Sequence, residues 1–480
     1  MTPFGNFEPD KGRFTPGSSQ YINNALPTAT GWGSMPAAVE VSEALPSAPK
    51  AAISVRSTAG VYSIYAATSS NWYKLNSTDY SWDSVGSGYT LPEGDYWSVC
   101  QYGKYLVATN ISDGAIFLDI DAGGVMGALT GSPPKARYLW VAGEHLVLGN
   151  HASFPNRVMI SGRGDIGFWT VGERGCDYQD LPDGDEVQGG IGSPKGALII
   201  QRNAIRQLIL GAFGDFSFKI EVLHQNRGAI APHSIVPIGP GNAAFLSSDG
   251  FCLGFEGQAI GAERVDRYFF ENADTDSLYQ TKGVVDPYLR IIWWQVQLAG
   301  GRALLGYHYA LDRWCRADND VAFFVDLATP AITIDGLDLL YPSIDDVTPN
   351  FDSRLFSGGL PAFAAFTTTY KLAFFTGGAP KAATFDTWEM ALASGRRSFL
   401  QECRAVTDAT THTMSVATAD RFSGTEPTFG TAVSPNSSTG ICHFRADGYL
   451  HKLRLEIPAG EQWTHVMGIE DMRAKPTGRR

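Results

Sequence analysis

Arg137–Asn150 reads RYLWVAGEHLVLGN. Two apolar runs rich in aromatic and β-branched residues flank Gly143-Glu144, which is how a hairpin reads. The rhythm extends both ways. AAISVR, STAG and VYSIYAA open it near Ala51, and YWSVCQ, YGK and YLVATN repeat it near Tyr96. Further units start near Gly196, Asn242 and Lys282, with a weaker one near Val321. The spacing is mostly about 40–60 residues, the period of four-stranded propeller blades. Trp82, Trp169, Phe216 and Trp314 each follow a tight turn, where a large side chain can plug the space between blades. The expected fold is all-β: a degenerate β-propeller of about six to eight blades. A long β-sandwich or a β-helix accommodates the same rhythm.

Composition agrees. The 480 residues hold 53 Gly, 26 Pro and only 18% charged residues, a turn-rich and aromatic-rich balance that favours strands. Lys plus Arg is 37 against 49 Asp plus Glu, a net charge of −12. Gripping duplex phosphates needs clustered cations, so this balance argues against a duplex binder. The six cysteines are widely spaced with no C-x-x-C, which suggests free thiols and no zinc site. MTPFGNFEPDKGRF has no apolar h-region, and no run approaches the ~20 residues of a membrane span. The sequons at Asn76, Asn110 and Asn436 therefore carry no expected glycan.

The flanks differ from the middle. Residues 1–50 are rich in Pro, Gly, Ser and Ala, and they read as an extended arm that Phe4, Phe7, Phe14, Tyr21 and Trp32 dock onto something else. Residues 51–350 form the propeller. Residues 351–480 read as a smaller β-sandwich-like domain with a short basic tail, RAKPTGRR. Within it, ICHFRADGYLHKLRLEI predicts a hairpin turning at Asp447-Gly448, with His443 opposite Lys452. Tyr449, His451, Leu453, Leu455 and Ile457 then share the buried face, and Lys452, Arg454 and Glu456 the wet one. On this pairing the two histidines cannot share a metal.

Motifs for chemistry are few. NRVMISGRGDIGFWTVG (Asn156–Gly172) contains G-x-G-x-x-G at Gly162, Gly164 and Gly167, an Arg163-Gly164-Asp165 tripeptide, and a near-miss Asp-box in Asp165, Gly167 and Trp169. A dinucleotide site needs a helix after the glycines, and IGFWTVGERG cannot build one. The stretch is expected to be strand, turn, strand, with Trp169 as a packing plug. Asp183, Asp185 and Glu186, Asp318-Asn319-Asp320, and Asp345-Asp346 read as solvated turns rather than calcium ligands. No phosphate loop, zinc helix or nucleophile elbow is present. No catalytic, cofactor-binding or metal residue is assigned, no cofactor is expected, and the expectation is a protein that is not an enzyme.

Three segments together carry a family resemblance: SQYINNALPTATGWGSMPAAVEVSEALP leading into the first blade, NRVMIS…GDIGFWTVG in the propeller, and GICHFRADGYLHKLRLEIPAGEQWTHVMGIED at the end. The chain resembles tail nozzle, or tail hub, proteins of short-tailed bacteriophages. The resemblance implies a virion structural part, assembled in the host cytoplasm as a homohexameric ring below the portal and adaptor. It would contact tail fibre proteins, and DNA would pass through the ring's channel without specific binding. Two other classes remain open: a glycan-binding or glycan-cleaving propeller, which needs a polar cluster around its axis, and a cellular protein-interaction propeller.

Overall fold

A computed structural model describes residues 1–213, 216–330, 353–422 and 425–477, together with positions 337, 338, 340, 343 and 347. Asp345-Asp346, the side chain of Phe216 and the last three residues of the basic tail lie outside the described residues. The protein is all-β and contains a β-propeller. Seven four-stranded antiparallel sheets among the described residues are its blades. Their inner strands are Ala51–Arg56, Ser98–Tyr102, Ala136–Ala142, Val187–Ser193, Val236–Gly239, Lys282–Asp286 and Val321–Ala328. In the first six blades the chain steps outward strand by strand.

The seventh blade corrects both expected boundaries. Its second and third strands are Pro361–Thr367 and Lys371–Phe374, and its outermost is Val39–Ala44. A boundary at 350/351 therefore cuts one sheet, and the last residues of the supposed arm are a blade strand. The ring closes without a covalent link, Val39 facing Phe374 and Ala44 facing Lys371. Ser42 Oγ accepts from the Leu372 amide at 2.9 Å. Val41, Leu45, Phe366, Leu372 and Phe374 are buried with Ile64 and Ala66 of the first blade.

The rest of residues 1–34 also serves the chain itself, which corrects the expectation of an arm lying elsewhere. Two sheets face one another in a sandwich. One contains Ile441–Gly448, Arg397–Thr407, Val466–Thr477, Trp32–Ser34 and Ala25–Pro27, with Thr2–Pro3 paired to Val466–Thr477. The other contains Thr413–Ala419, Leu450–Ile457, Ala383–Asp386 and Ile22–Asn23. Aromatic residues from both ends of the sequence meet between them: Phe4 and Trp32 lie 5.4 and 6.4 Å from Phe385.

The N-terminal segment also stitches the sandwich to the outer strand of blade six, Arg313–Asp318. Arg313 Nη1 donates to the carbonyls of Thr28 and Gly31 at 2.7 and 2.8 Å, its guanidinium 4.5 Å from the Trp32 ring. The side-chain amides of Asn23 and Asn24 donate to Asp318 at 2.8 and 2.9 Å. One hydrophobic core consequently runs from the sandwich into blades five, six and seven.

Asp447-Gly448 is not a hairpin turn. Ile441–Gly448 pairs with Arg397–Thr407, and Leu450–Ile457 lies between Thr413–Ala419 and Ala383–Asp386, so the chain crosses from one sheet to the other at Tyr449. His443 faces Glu402, not Lys452. Lys452, expected in water, is buried at 2% exposure because a third segment, around Glu426, covers that face.

Candidate functional site

The glycine-rich stretch is a loop of blade three. Arg157–Ile160 is a strand, but the expected second strand is absent, and pairing resumes only at Asp177–Asp180. Asp165 turns the chain: its carboxylate accepts from the Gly167 amide at 3.0 Å and from Arg174 Nη1 at 3.0 Å. Trp169 Nε1 donates to the Ile166 carbonyl at 2.8 Å, and the Gly162 amide donates to the Phe168 carbonyl at 2.8 Å. Trp169 is buried between blades two and three, as a plug should be. Trp314 does the same near blade five, its ring 5.2 Å from Phe251, and Trp82 sits 5.9 Å from Phe366 across the ring closure. No helix follows the glycines, and Arg163 of the tripeptide pairs with Glu144. The loop walls a groove of about 820 Å³ between blades three and four, lined by Glu144, His145, Arg163, Arg174 and Ser217.

The acidic turns are engaged by arginines. Asp183 pairs with Arg206, and Glu186 lies 3.5 Å from Arg202. Asp318 holds the N-terminal asparagines, as above. No group of His, Cys, Asp and Glu suited to a metal occurs among the described residues. All six cysteines are free. Cys403 and Cys442 face one another on adjacent strands, a juxtaposition their spacing of 39 positions concealed. Burial pushes the Cys100 and Cys252 thiols up to about 12, which leaves neither a nucleophile near neutral pH.

The axis of the propeller carries the polar cluster that sequence patterns could not assemble, because every blade contributes to its lining. A cavity of about 260 Å³ is lined by Lys50, Tyr96, Gln188, His233, Lys282 and Asp326 among others, all from the propeller. Lys50 and Lys282 stand 5.1 and 5.2 Å from the centroid of the Tyr96 ring, and Lys282 also caps the face of Phe323. His233 meets Tyr96 edge-on at 4.7 Å. Nearby, Arg137 pairs with Asp95 at 3.0 Å. Burial lowers the Lys282 ammonium well below its usual range, with Lys50 adding to the effect and Asp326 opposing it.

His233 gives this cluster a signature. Burial, then Lys282, Arg137 and Lys50, push its imidazole down to about 3. The unfolded chain binds a proton near pH 6.5 that the folded chain refuses until about 3. Stability from this group is thus intact above pH 6.5 and falls as pH drops through the window. His233→Phe should remove that loss at about 1.4 kcal/mol per pH unit. Between pH 6.5 and 4.5 the difference in unfolding free energy between variant and parent should shift by about 2.5 kcal/mol toward the variant, read from urea midpoints.

The two ends of the propeller differ. Inner strands begin at the end carrying Lys50, Lys282 and His233. At the other end lie the turns that follow the inner strands and those between third and fourth strands. Val61, Tyr288 and Leu360 are exposed on the former turns, and Val125, Val171 and Phe255 on the latter. Around blades six, seven and one this rim is continuous. Arg354 stacks over Tyr288 at 3.9 Å and donates to the Pro361 carbonyl at 2.8 Å. A Cβ on Gly359 would touch the Tyr62 ring at 2.7 Å, and Arg56 covers Tyr62 at 5.7 Å.

No protein-family model matches the sequence, and no curated protein matches it. Three solved structures share part of its shape. The crystal structure of RRP9 WD40 repeats is 11% identical over 59% of this chain and 86% of that one, with a TM-score of 0.37. The Mitotic Checkpoint Complex structure is 12% identical over 71% and 94%, with a TM-score of 0.38. The structure of U3-55K is 11% identical over 59% and 86%, with a TM-score of 0.36. At these scores the likeness carries no functional argument, and the propeller stands on its own strand pairing.

Proposed function

We propose that this chain is a non-enzymatic assembly protein that docks other protein surfaces through one end of its propeller. The observation that supports this reading is the rim of Tyr62, Tyr288 and Leu360 with Arg56 and Arg354. Tyr62 and Tyr288 are 44% and 64% exposed. Aromatic residues and arginine are what interface centres collect, since they bury much area at little entropic cost. The specific form follows the family resemblance: a subunit of a phage tail hub or nozzle ring, in contact with portal, adaptor and fibre proteins. The propeller's own axial cavity is far too small for a duplex, so DNA would pass between copies arranged in a ring. Acidic net charge suits such a wall, which must not hold DNA. With the N-terminal segment committed to its own sandwich, contacts between copies fall to the rim and not to an exchanged arm.

An antibody raised against the chain and used to label intact phage particles tests the specific form. Label at the distal tail, with six-fold symmetry in averaged electron micrographs, is expected. Label on peripheral fibres favours the glycan-binding reading. Absence of label, with a monomer in light scattering, favours a cellular interaction propeller. The double variant Tyr62→Asp/Tyr288→Asp should keep the parent's thermal midpoint within a few degrees yet lose incorporation into particles, because exposed positions tolerate charge while an interface does not.

A further inference from the structure

We propose that the cavity on the propeller axis is a binding site for a small oxyanion, of the size and charge of inorganic phosphate, held between Lys50 and Lys282. Both lysines line the cavity, and their ammonium groups share one wall, the Tyr96 ring. Neither makes an ion pair or hydrogen bond among the described residues. Asp326 is the only carboxylate among the lining residues, against two lysines. Asp95 and Glu93 act on Lys50 from outside this lining, and Asp95 is itself engaged by Arg137.

Burial disfavours the charged form of both lysines, and a bound anion would restore it. The other polar groups in the wall suit the same guest. His233 is neutral near pH 7, so one ring nitrogen carries a hydrogen to donate. Several donors converging on one volume is what an oxyanion requires. At about 260 Å³ the space between the lysines fits a small ion, and it adjoins a wider opening of about 830 Å³ that shares Val99, Leu139, Gly190, Ile191 and Pro237 with it. Lys50 and Lys282 stand at the end of the propeller where the inner strands begin, away from the apolar rim, so binding there leaves the docking surface free.

Calorimetric titration of the full chain with sodium phosphate at pH 7 and low ionic strength tests the site. One saturable site is expected. Lys282→Met and Lys50→Met should each weaken it at least tenfold. Lys104→Met, whose ammonium pairs with Asp119 outside the cavity, should leave it unchanged. Thermal melts of each variant separate lost binding from lost folding: Lys282→Met replaces a group whose charged form burial disfavours, so its midpoint should not fall. No saturable binding at millimolar phosphate overturns the proposal. So does binding that is equally strong in the Lys282→Met and Lys104→Met proteins.

Discussion

A chain that starts at residue 51 should fail to fold. Read from sequence, residues 1–50 are an arm, and its loss ought to leave a propeller that melts as before. The strand pairing predicts the opposite. Removing the segment deletes the outermost strand of blade seven and opens the ring between Phe374 and the first blade. It also strips strands from both sheets of the sandwich. Phe4, Phe7, Ile22, Trp32, Val41 and Leu45 are all at most 2% exposed. Each such side chain contributes about 1.5–3 kcal/mol on burial, and together they rival the ~5–15 kcal/mol that keeps a typical domain folded. The expected result is insoluble protein, or soluble protein without a cooperative melt. A finer probe is Val41→Asp, which places a charge at a fully buried position and should cost several kcal/mol in urea denaturation. Glu40→Ala, on an exposed neighbour, should cost less than about 0.5 kcal/mol. A 51–480 chain that melts cooperatively within a few degrees of the parent would sink this account of the closure.

The propeller was legible because its signal is local. Hairpins near Ala51, Arg137 and Lys282 each pair with the next run along the chain, and most expected starts, Val321 included, fall at or beside the inner strands. Two starts came one strand late, at Gly196 and Asn242. The missed inner strands, Val187–Ser193 and Val236–Gly239, are rich in Gly and Pro and read as loops. They are small because the axis is crowded. A Cβ on Gly190 would lie 2.5 Å from the Trp140 ring, and one on Gly192 only 1.5 Å from the Val141 carbonyl oxygen. What stayed hidden was non-local. Val39–Ala44 pairs with a strand more than 320 positions away, and nothing in VEVSEA names that partner. The tight turn signal Asp447-Gly448 misled for the same reason: each flanking strand has a better partner elsewhere, and two sheets compete for it. The axial cluster was invisible because its members come one or two to a blade. Only ring closure brings Lys50 and Lys282 to the same tyrosine.

The second large effect should come from Asp386. Its carboxylate is fully buried and takes a bidentate pair from Arg454 at 2.6 and 2.9 Å, with Lys452 at 3.0 Å. Phe429 lies 4.1 Å from the arginine head and 5.6 Å from the lysine, and the lysine is shut away from water while the arginine is partly exposed. The Asp386 amide also donates to Tyr21, tying the N-terminal segment to this centre. Asp386→Ala leaves the enclosed Lys452 with Glu426 as its remaining ion-pair partner and the partly exposed Arg454 without its bidentate carboxylate, and breaking such a buried pair typically costs about 3–5 kcal/mol. Packing loss alone cannot produce that figure, since Asp to Ala removes only three heavy atoms. A double-mutant cycle separates the two causes. If charge is responsible, Asp386→Ala/Lys452→Met should be more stable than Asp386→Ala, because the second change removes a cation the first left uncompensated. Strict additivity, with each change simply lowering the denaturation midpoint, would mean that Asp386 acts as a spacer and that Arg454 alone carries the charge balance of this face.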